Sequence, residues 1–561
     1  MKKGEIYEGE VVDFKFPNKG IVAVDTEEGS KRVIVKNVLV GQRVSFRLTK
    51  KRSEQSEGLL IAVIRKADYE IDSDCPHFDM CGGCMYRNVP YDKQLEMKEN
   101  LVRTLCAPYL SGCKFEPIKA SPQYEAYRNK MEFSFGDMSK DGELELGLHK
   151  RGSFYDIISV RDCRITDKDY GMILSETLSY FRGKETPYFH KRTHEGYLRH
   201  LLVRKAAKTG EILIDLVTTS ATPKDTMCTM VGLLEDWTES LLALKLSGKI
   251  VGILHTVNDN VADAIINEHT DVLYGRDYFY EELLELTFKI TPFSFFQTNS
   301  LSAEVLYDTV REFVLDSIPE GKNGKELEGK TVFDLYSGTG TIAQLMSKVS
   351  GKVIGVEIVA EAVDAARENA AMNKLENCEF IAGDVLKVLD DIKDRPDFII
   401  LDPPRDGVNP KALKKIMDYG VNNIVYISCK PTSLARDLEM LTLGGYQPVR
   451  MCTVDQFPAT GHVETVVLLG WKDVDDYMYV DYAPDHHVIQ GGKATYREIT
   501  EWIKDKYGVH VTNLNIAQVK DKCGFEKREN YNKGAQGHKI PNCTLEKEKM
   551  IMEAFKHFNM I

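Results

Sequence analysis

A cysteine at the end of a predicted strand is the first candidate nucleophile in this chain. Cys429 follows the apolar run NIVYIS, stands beside Lys430 and precedes the predicted helix PTSLARDLEML. A lone cysteine is more often a small buried hydrophobe than a nucleophile. Here a cation and a helix N-terminus both lie next to the thiol and would lower its pKa, which favours the nucleophile.

A carboxylate could reach the same pocket from a second strand. In DQFPATGHVETVVLL, His462 and Glu464 stand just before an apolar run that predicts a strand. A glutamate that opens a strand is usually only solvated. The segment alone therefore does not establish a catalytic role.

These residues belong to a pattern of strand, glycine-rich turn and helix that repeats from about 301 to 470. The pattern is typical of a parallel, doubly wound sheet, which binds its ligands at the carboxyl ends of the strands. In TVFDLYSGTGTIAQLMS, an apolar strand runs into Asp334, and Gly338 and Gly340 form a tight turn before a helix. Glycine lets the backbone approach a ligand, and the helix N-terminus attracts its anionic part.

Three more acids stand at predicted strand ends. Glu357 ends KVIGVEI and is placed to bind ribose hydroxyls, while Asp384 in FIAGDVL could reach a group on the adenine side. Asp402 begins DPPR, whose two prolines stiffen the loop and fix how the carboxylate faces the pocket. A plain turn that ends the strand is the alternative interpretation of this loop.

The glycine-rich turn admits two kinds of cofactor. Gly338, Gly340 and Ala343 match the dinucleotide fingerprint G-x-G-x-x-A, so an NAD enzyme has to be considered. A hydride-transfer enzyme has no obvious need for the Pro-Pro loop, whereas a methyltransferase that acts on a planar base does. The loop therefore favours a methyltransferase.

A second group of residues has the composition of a metal site. Cys75, Cys81 and Cys84 lie in CPHFDMCGGC, and Cys163 lies in SVRDCRI. Four thiolates make a complete tetrahedral set for zinc or for an iron–sulfur cluster, and the spacing does not choose between them. The other cysteines, apart from Cys429, show no ligand spacing and are predicted to be packing residues.

The N-terminal region predicts a small all-β barrel. Residues 5–64 alternate apolar and polar residues in short runs separated by Gly, Asn and Pro, which gives a barrel over 1–66. Lys50, Lys51 and Arg52 would cluster at one turn. That cluster suits an oligonucleotide-binding barrel, although a solvated turn fits the charges equally well.

The remaining segments complete an α/β protein. A helix-like stretch runs from about Tyr91 to Leu105. Strands mixed with short helices predict a central α+β domain over 67–300, and the doubly wound domain follows over 301–472. A basic helical extension covers 473–561, with helix-like segments TYREITEWIKDKY and NLNIAQVKDK on either side of Gly508. A helix-turn-helix module and a helical cap on the body fit it equally well.

Composition and charge narrow the class of protein. The 561 residues are 43% apolar and 28% charged, which excludes a mainly disordered or membrane-embedded chain. No membrane span or signal peptide is recognisable, so we expect a cytosolic protein. The net charge is -12, yet residues 1–66 hold 14 Lys and Arg against 9 Asp and Glu, and residues 491–561 hold 13 against 9. Basic ends suit a polyanionic partner, and chance variation of surface charge is the alternative.

The four-cysteine set together with the SCKP and GHVE segments resembles the iron–sulfur 23S ribosomal RNA (uracil-5-)-methyltransferases that carry an N-terminal TRAM barrel. The similarity spans roughly residues 5–470, and the tail after about 475 lies outside it. The resemblance implies a 4Fe-4S cluster on the four cysteines, Cys429 as nucleophile and Glu464 as base. It also implies that S-adenosylmethionine is held by Gln297 in FSFFQTN, Tyr336 in DLYSGTG, Glu357 and Asp402.

Methylation at carbon 5 of uracil requires these residue types. That carbon is too weak a nucleophile to attack a sulfonium methyl, so a thiolate must first add at carbon 6. A base then removes the remaining proton at carbon 5, and positioned bases contribute about 10² to 10⁴ in rate. The uridine must leave its stack, which costs roughly a few kcal/mol. The cluster has no redox step here, so we expect it to clamp the central domain.

The sequence therefore predicts an S-adenosylmethionine-dependent enzyme that makes 5-methyluridine in 23S ribosomal RNA, as a monomer without membrane contact. The same chemistry on transfer RNA or on cytosine is the nearest alternative. A non-catalytic RNA-binding module whose cluster senses iron or oxidants is an alternative of another class, and an NAD enzyme is the least favoured.

Overall fold

The computed structural model describes most of the chain. The described residues are 1–26, 29–51, 56–221, 230–261, 268–317, 327–471, 496–507, 511, 515–516, 519–520 and 545–558. The chain forms two compact units, residues 1–473 and 474–561, and each is described by itself.

The N-terminal strands form the predicted small barrel. The strands are β1 (Ile6–Lys15), β2 (Lys19–Thr26), β3 (Gly29–Lys36), β4 (Arg43–Lys50) and β5 (Ser56–Arg65). They form a closed barrel in the order β1-β2-β3-β5-β4. Its core is a set of valines around Phe46, whose ring packs directly on Gly58. In the predicted basic cluster, Lys50 pairs with Glu57 at 2.8 Å, and Arg52 lies outside the described residues.

A helix and a seven-stranded sheet follow the barrel. The elements between the barrel and residue 275 are α1 (Tyr91–Cys106), β6 (Lys114–Phe115), β7 (Lys130–Asp137), β8 (Leu144–His149), β9 (Ile157–Ser159), α2 (Lys168–Gly183), β10 (Leu198–Lys205), β11 (Glu211–Thr218), α3 (Met230–Leu242), β12 (Lys249–Val257) and β13 (His269–Gly275). Of these strands, β6 alone lies outside the seven-stranded sheet. The sheet has the order β13-β12-β11-β10-β7-β8-β9, and α2 and α3 bury their apolar residues against it. The apolar runs of β10 and β11 are almost wholly buried, which is why they do not alternate.

The C-terminal half of this unit is the doubly wound sheet. After the hairpin of β14 (Phe279–Leu283) and β15 (Leu286–Ile290), its elements are α4 (Ser300–Asp316), β16 (Leu327–Leu335), α5 (Thr341–Ser347), β17 (Ser350–Glu357), α6 (Ala360–Met372), β18 (Cys378–Ala382), α7 (Val385–Val388), β19 (Phe398–Leu401), α8 (Pro410–Asp418), β20 (Asn423–Ser428), α9 (Pro431–Leu443), β21 (Tyr446–Val454) and β22 (Glu464–Trp471). The strand order is β18-β17-β16-β19-β20-β22-β21-β6. Winding runs outward in both directions from β16 and β19, so the crevice between them is the expected ligand site.

Two elements from far upstream complete this sheet. The short strand β6 pairs in parallel with β21 at the sheet edge. Helix α1 packs Val102 and Cys106 into the core that covers one face of the sheet, together with α8 and α9. The predicted helix at Tyr91–Leu105 is confirmed, but its attachment to the doubly wound sheet is not visible in its own sequence.

The second unit contains α10 (Tyr496–Tyr507) and α11 (Leu545–His557) around a core of its own. Ile499 and Ile503 of α10 are fully buried against Ile551 and Phe555 of α11. The helix predicted at TYREITEWIKDKY is therefore present, while Gly508 and most of the second predicted segment lie outside the described residues. Among the described helices, none has the length and apolar character of a membrane span.

Candidate active site

A cavity of about 1580 Å³ opens at the carboxyl ends of the central strands of the doubly wound sheet. The eight residues predicted to bind the cofactor or to act in catalysis all line it. They are Gln297, Tyr336, Gly338, Glu357, Asp384, Asp402, Cys429 and Glu464. The cavity lies where the direction of winding reverses, which is the position that the fold offers to ligands.

The glycine-rich turn forms one wall of the cavity. Tyr336, Gly338 and Gly340 all have positive φ angles, of 70°, 53° and 73°. At Gly340 a side chain would meet the Phe380 ring at 2.5 Å, so the turn is closely packed as well as tightly bent. Glu357 accepts hydrogen bonds from the backbone N–H groups of Gly338 and Val359, each at 3.0 Å. The strand-end carboxylate thus fixes the turn that follows the neighbouring strand.

This wall suits a nucleoside cofactor that carries a positive charge. The Ser337 hydroxyl, next to the glycine turn, is buried and has no hydrogen-bond partner within the described residues. Ile358 and Val359 are 66% and 49% exposed at the cavity wall and offer apolar surface to a planar base. Asp384 caps α7 by accepting from the N–H of Leu386 at 2.9 Å. These residues fit S-adenosylmethionine, whose adenosine and cationic sulfonium need such surroundings.

The pairing of two strands brings Cys429 and Glu464 together. Strands β20 and β22 are antiparallel neighbours, and Ser428 pairs with Thr465. Continued by one residue, this register places Cys429, just beyond β20, opposite Glu464, the first residue of β22. Glu464 is 4% exposed and Cys429 is half-buried, and both line the cavity. A thiol and a carboxyl group therefore line the same cavity.

The pKa of the Cys429 thiol is raised, whereas the sequence predicts that it is lowered. Burial raises this pKa to about 11, and the charges of Glu464 and Asp402 add to the effect, whereas Arg405 opposes it. Lys430, which was expected to lower the pKa, points toward Asp406, with 3.8 Å between Nζ and Oδ1. Without a ligand the group at neutral pH is a thiol rather than a thiolate.

Two carboxyl groups that line the cavity, Glu464 and Asp402, and the fully buried Asp334 also have raised pKa values. Burial and the charge of Asp402 raise the pKa of Glu464 and of Asp334 to about 8, and burial raises the pKa of Asp402 to about 7. A nearby positive charge stabilises the ionised forms of these acids and lowers their pKa values. The cavity is therefore suited to a cationic ligand.

Sequence reasoning missed two residues at this cavity. Arg405 follows the DPP segment and is the cation whose charge lowers the pKa values of Cys429 and Glu464. Phe295 lines the cavity and is 70% exposed. The aromatic run FSFFQTN before Gln297 was the available signal for Phe295, and the charge after DPP was the signal for Arg405.

The four predicted metal ligands line a second, much smaller cavity of about 20 Å³. The thiols are close enough that the charges of Cys75 and Cys163 raise the pKa of Cys81, although burial is the larger cause. Cys81 accepts a hydrogen bond from the N–H of Gly83 at 3.3 Å. Among the described residues no group of three or more His, Cys, Asp or Glu side chains has a metal-holding arrangement. The four thiols are of a type that binds metals and lie around one cavity, but the predicted 4Fe-4S cluster is not confirmed.

Comparisons with known proteins agree on one chemistry. Residues 272–472 match the family described as tRNA (Uracil-5-)-methyltransferase. An uncharacterized RNA methyltransferase of Clostridium tetani is 47% identical over 474 residues, which cover 84% of this chain and 99% of that protein. One from Caldanaerobacter subterraneus is 45% identical over 84% of this chain and 99% of its own.

A solved structure shares the fold. It is the Pyrococcus abyssi tRNA (uracil-54, C5)-methyltransferase in complex with S-adenosyl-L-homocysteine, with a TM-score of 0.63 and 23% identity. The match covers 82% of this chain and 100% of that chain. At this identity the likeness concerns the arrangement of strands and helices alone.

Proposed function

The chain belongs to the RNA (uracil-5-)-methyltransferase family and is an S-adenosylmethionine-dependent enzyme, and we propose that it methylates carbon 5 of a uridine in 23S ribosomal RNA. The observation that carries this proposal is the register of β20 and β22, which sets Cys429 against Glu464 in the cavity of the glycine-rich turn.

The pair accounts for the reaction at the pyrimidine ring. The Cys429 thiol gives its proton to water, and its sulfur bonds to carbon 6 while the π bond between carbons 5 and 6 breaks. The electron pair of that π bond moves onto the ring and makes carbon 5 nucleophilic. S-adenosylmethionine, when bound, supplies the methyl group that carbon 5 takes up. The Glu464 carboxylate then accepts the proton from carbon 5, the carbon–sulfur bond breaks, and its electron pair returns to the sulfur.

The choice of ribosomal RNA rests on the cysteine set and the SCKP and GHVE segments, whose pattern resembles the iron–sulfur 23S enzymes. Transfer RNA is the second candidate, because the family description names it. Both RNAs offer folded loops in which a uridine can leave its stack at low cost. The basic N-terminal barrel, with 14 Lys and Arg against 9 acids, would add affinity for either RNA.

Mapping 5-methyluridine across ribosomal and transfer RNA from a strain that lacks the protein tests this function. We expect one or more 23S sites to lose the methyl group and to regain it when the intact gene is restored. The Cys429→Ala gene is the matched control and should not restore it. Loss confined to transfer RNA would select the second candidate, and unchanged RNA would refute both.

We further propose that Cys75, Cys81, Cys84 and Cys163 hold a 4Fe-4S cluster that clamps the central sheet. The four cysteines line one small cavity although Cys163 is far in sequence from the loop that carries the other three. This arrangement supports a shared cluster. Anaerobically purified protein should contain iron and acid-labile sulfide and absorb visible light. Cys81→Ser should lose both signals, while Cys113→Ser, outside this set, should keep them. Iron-free protein with zinc bound would select the other metal.

A further inference from the structure

We propose that an exposed patch of two aromatic and two basic residues binds unpaired RNA nucleotides that flank the target uridine. The patch consists of Phe154, Tyr155, Lys191 and Arg192, and we call it the stacking patch. The inference rests on the proposed function, because it supplies a contact to RNA outside the reaction cavity.

The two rings of the stacking patch are unusually open to solvent. Phe154 is 62% exposed and Tyr155 is 48% exposed. They meet edge to face, with 5.4 Å between centroids and an angle of 89° between planes. Two rings in this arrangement present surfaces in different directions. Exposed aromatic faces are the surfaces on which single-stranded nucleic acids stack their bases, whatever the sequence.

Each ring is accompanied by a cation from a distant loop. The Lys191 ammonium lies 4.8 Å from the centroid of the Phe154 ring, and the Arg192 guanidinium carbon lies 4.4 Å from that of Tyr155. The segments 149–156 and 189–195 together contain four Lys and Arg residues against two acids, Asp156 and Glu195. In a chain with a net charge of -12, this local excess of positive charge complements a phosphate backbone.

The stacking patch is joined directly to the rim of the active-site cavity. The Arg151 guanidinium, in the loop before Phe154, donates to the backbone carbonyls of Phe78 and Cys84, each at 2.9 Å. The N–H of Gly82 donates to the carbonyl of His149 at 3.1 Å, and Gly82 also lines the cavity. Hydrogen bonds therefore join the loop that carries the two rings to the loop that contributes to the rim of the cavity. A strand that delivers a uridine into the cavity can place neighbouring bases on the stacking patch.

Binding to a short single-stranded RNA of mixed sequence tests the aromatic half of the patch. The double variant Phe154→Ala/Tyr155→Ala should bind this RNA on the order of tenfold more weakly or worse. Its binding to a duplex of the same sequence should stay unchanged, because paired bases cannot stack on the rings. Tyr274→Ala, at a 41% exposed aromatic residue on β13, is the matched control and should bind like the wild type.

The basic half of the patch should affect the salt dependence of RNA binding. With Lys191→Gln/Arg192→Gln, the slope of log affinity against log salt should become shallower by about 1.4, or roughly 0.7 for each lost phosphate contact on a single strand. Lys140→Gln/Lys330→Gln, at side chains 85% and 53% exposed elsewhere, should leave the slope unchanged. The aromatic variant should weaken binding without changing the slope.

Methylation assays separate this inference from the proposed function. With RNA from the deletion strain as substrate, the aromatic variant should raise KM and leave kcat unchanged, because the patch lies outside the reaction cavity. Wild-type KM and wild-type RNA affinity in both variants would overturn the stacking patch while the function stands. Wild-type RNA affinity with lost binding to ribosomal subunits would assign the patch to a protein contact and also overturn it. A wild-type enzyme that methylates no RNA would refute the function, and the single-stranded binding assay would still decide the patch.

Discussion

Burial keeps the Cys429 thiol protonated in the ligand-free protein, and the charges of two nearby acids add to this effect. Glu464 and Asp402 both raise its pKa, and Arg405 is the cation that opposes them. A positive ligand in the same cavity would favour ionised carboxylates and a thiolate together. The same residues can thus stay protonated without a ligand and become reactive when a cationic methyl donor is bound.

The roles of the two catalytic candidates predict different products. Cys429→Ala should give neither methylated RNA nor a covalent adduct, because no sulfur is present to add at carbon 6. Glu464→Gln should still form the adduct but release it about 10² to 10⁴ more slowly, since the base is missing. Methyl incorporation and denaturing gels of the protein–RNA complex measure the two effects. Cys113→Ala serves as control, and normal methylation by Cys429→Ala would contradict the mechanism.

The raised pKa of Cys429 predicts how the thiol reacts with iodoacetamide. Below its pKa of about 11 the thiolate fraction, and with it the alkylation rate, should rise about tenfold per pH unit. Mass spectrometry of the Cys429 peptide follows this rate in the ligand-free protein. A rate that levels off near neutral pH would show that the thiol is not held in its protonated form.

Glu464→Gln should change that profile over a defined pH range. The pKa of Glu464 is about 8, so the carboxyl group is mostly protonated at pH 7 and ionised above about pH 8. Its charge raises the thiol pKa only when it is ionised. The variant should therefore be alkylated faster than wild type above about pH 8 and at a similar rate at lower pH. Equal rates across the whole range would show that the two groups do not interact.

At the scale of elements, helix α1 is tied to the segment that leads into β22. The Lys98 ammonium donates to Asp455 Oδ1 at 2.6 Å and to the carbonyl of Phe457 at 3.0 Å. The two charged side chains are 2% and 0% exposed. This pair fixes the start of the loop that ends at Glu464, and so it helps to position the carboxyl group from outside the cavity.

Breaking this pair should cost stability because it leaves a buried charge alone. Lys98→Met should lower the free energy of unfolding by about 3–5 kcal/mol in urea titrations. Lys98→Met/Asp455→Leu should recover part of the loss, since both charges are then removed. Lys66→Ala breaks an exposed pair with Asp72, whose side chains are 64% and 96% exposed, and should leave stability almost unchanged. A small effect of Lys98→Met would mean that water reaches Asp455.

At the scale of the whole molecule, the chain is an enzyme with an added helical unit. The 474 residues aligned with the Clostridium tetani relative make up 99% of that protein and match the length of the first unit, residues 1–473. The second unit has its own buried core between α10 and α11. Among the described residues, those that line the candidate active-site cavity lie between positions 82 and 464.

Removal of residues 474–561 should therefore leave a folded and active enzyme. Residues 491–561 carry 13 Lys and Arg against 9 Asp and Glu, so their loss should weaken nonspecific RNA binding and flatten its salt dependence. Thermal unfolding, kcat and salt-dependent RNA affinity measure the three expectations. Loss of kcat together with a normal melting curve would give the second unit a role in the reaction.

Local sequence patterns predict most strand ends of the doubly wound sheet that holds the candidate active site. Apolar runs that end in Glu357, Asp402 and Cys429 predict strand ends, and the carboxyl ends of parallel strands meet at one edge of a sheet. The barrel and the helix at α1 also follow from periodicity, because both patterns arise from residues close together in the chain.

Only the tertiary structure decided how distant segments act on one another. It paired β20 with β22, attached α1 and β6 to the doubly wound sheet, and joined the loops that carry Phe154 and Lys191. It also reversed the expected pKa shift of Cys429, since burial and two remote carboxylates outweigh the neighbouring lysine. Burial and charge depend on which segments pack together, and no local pattern contains that information.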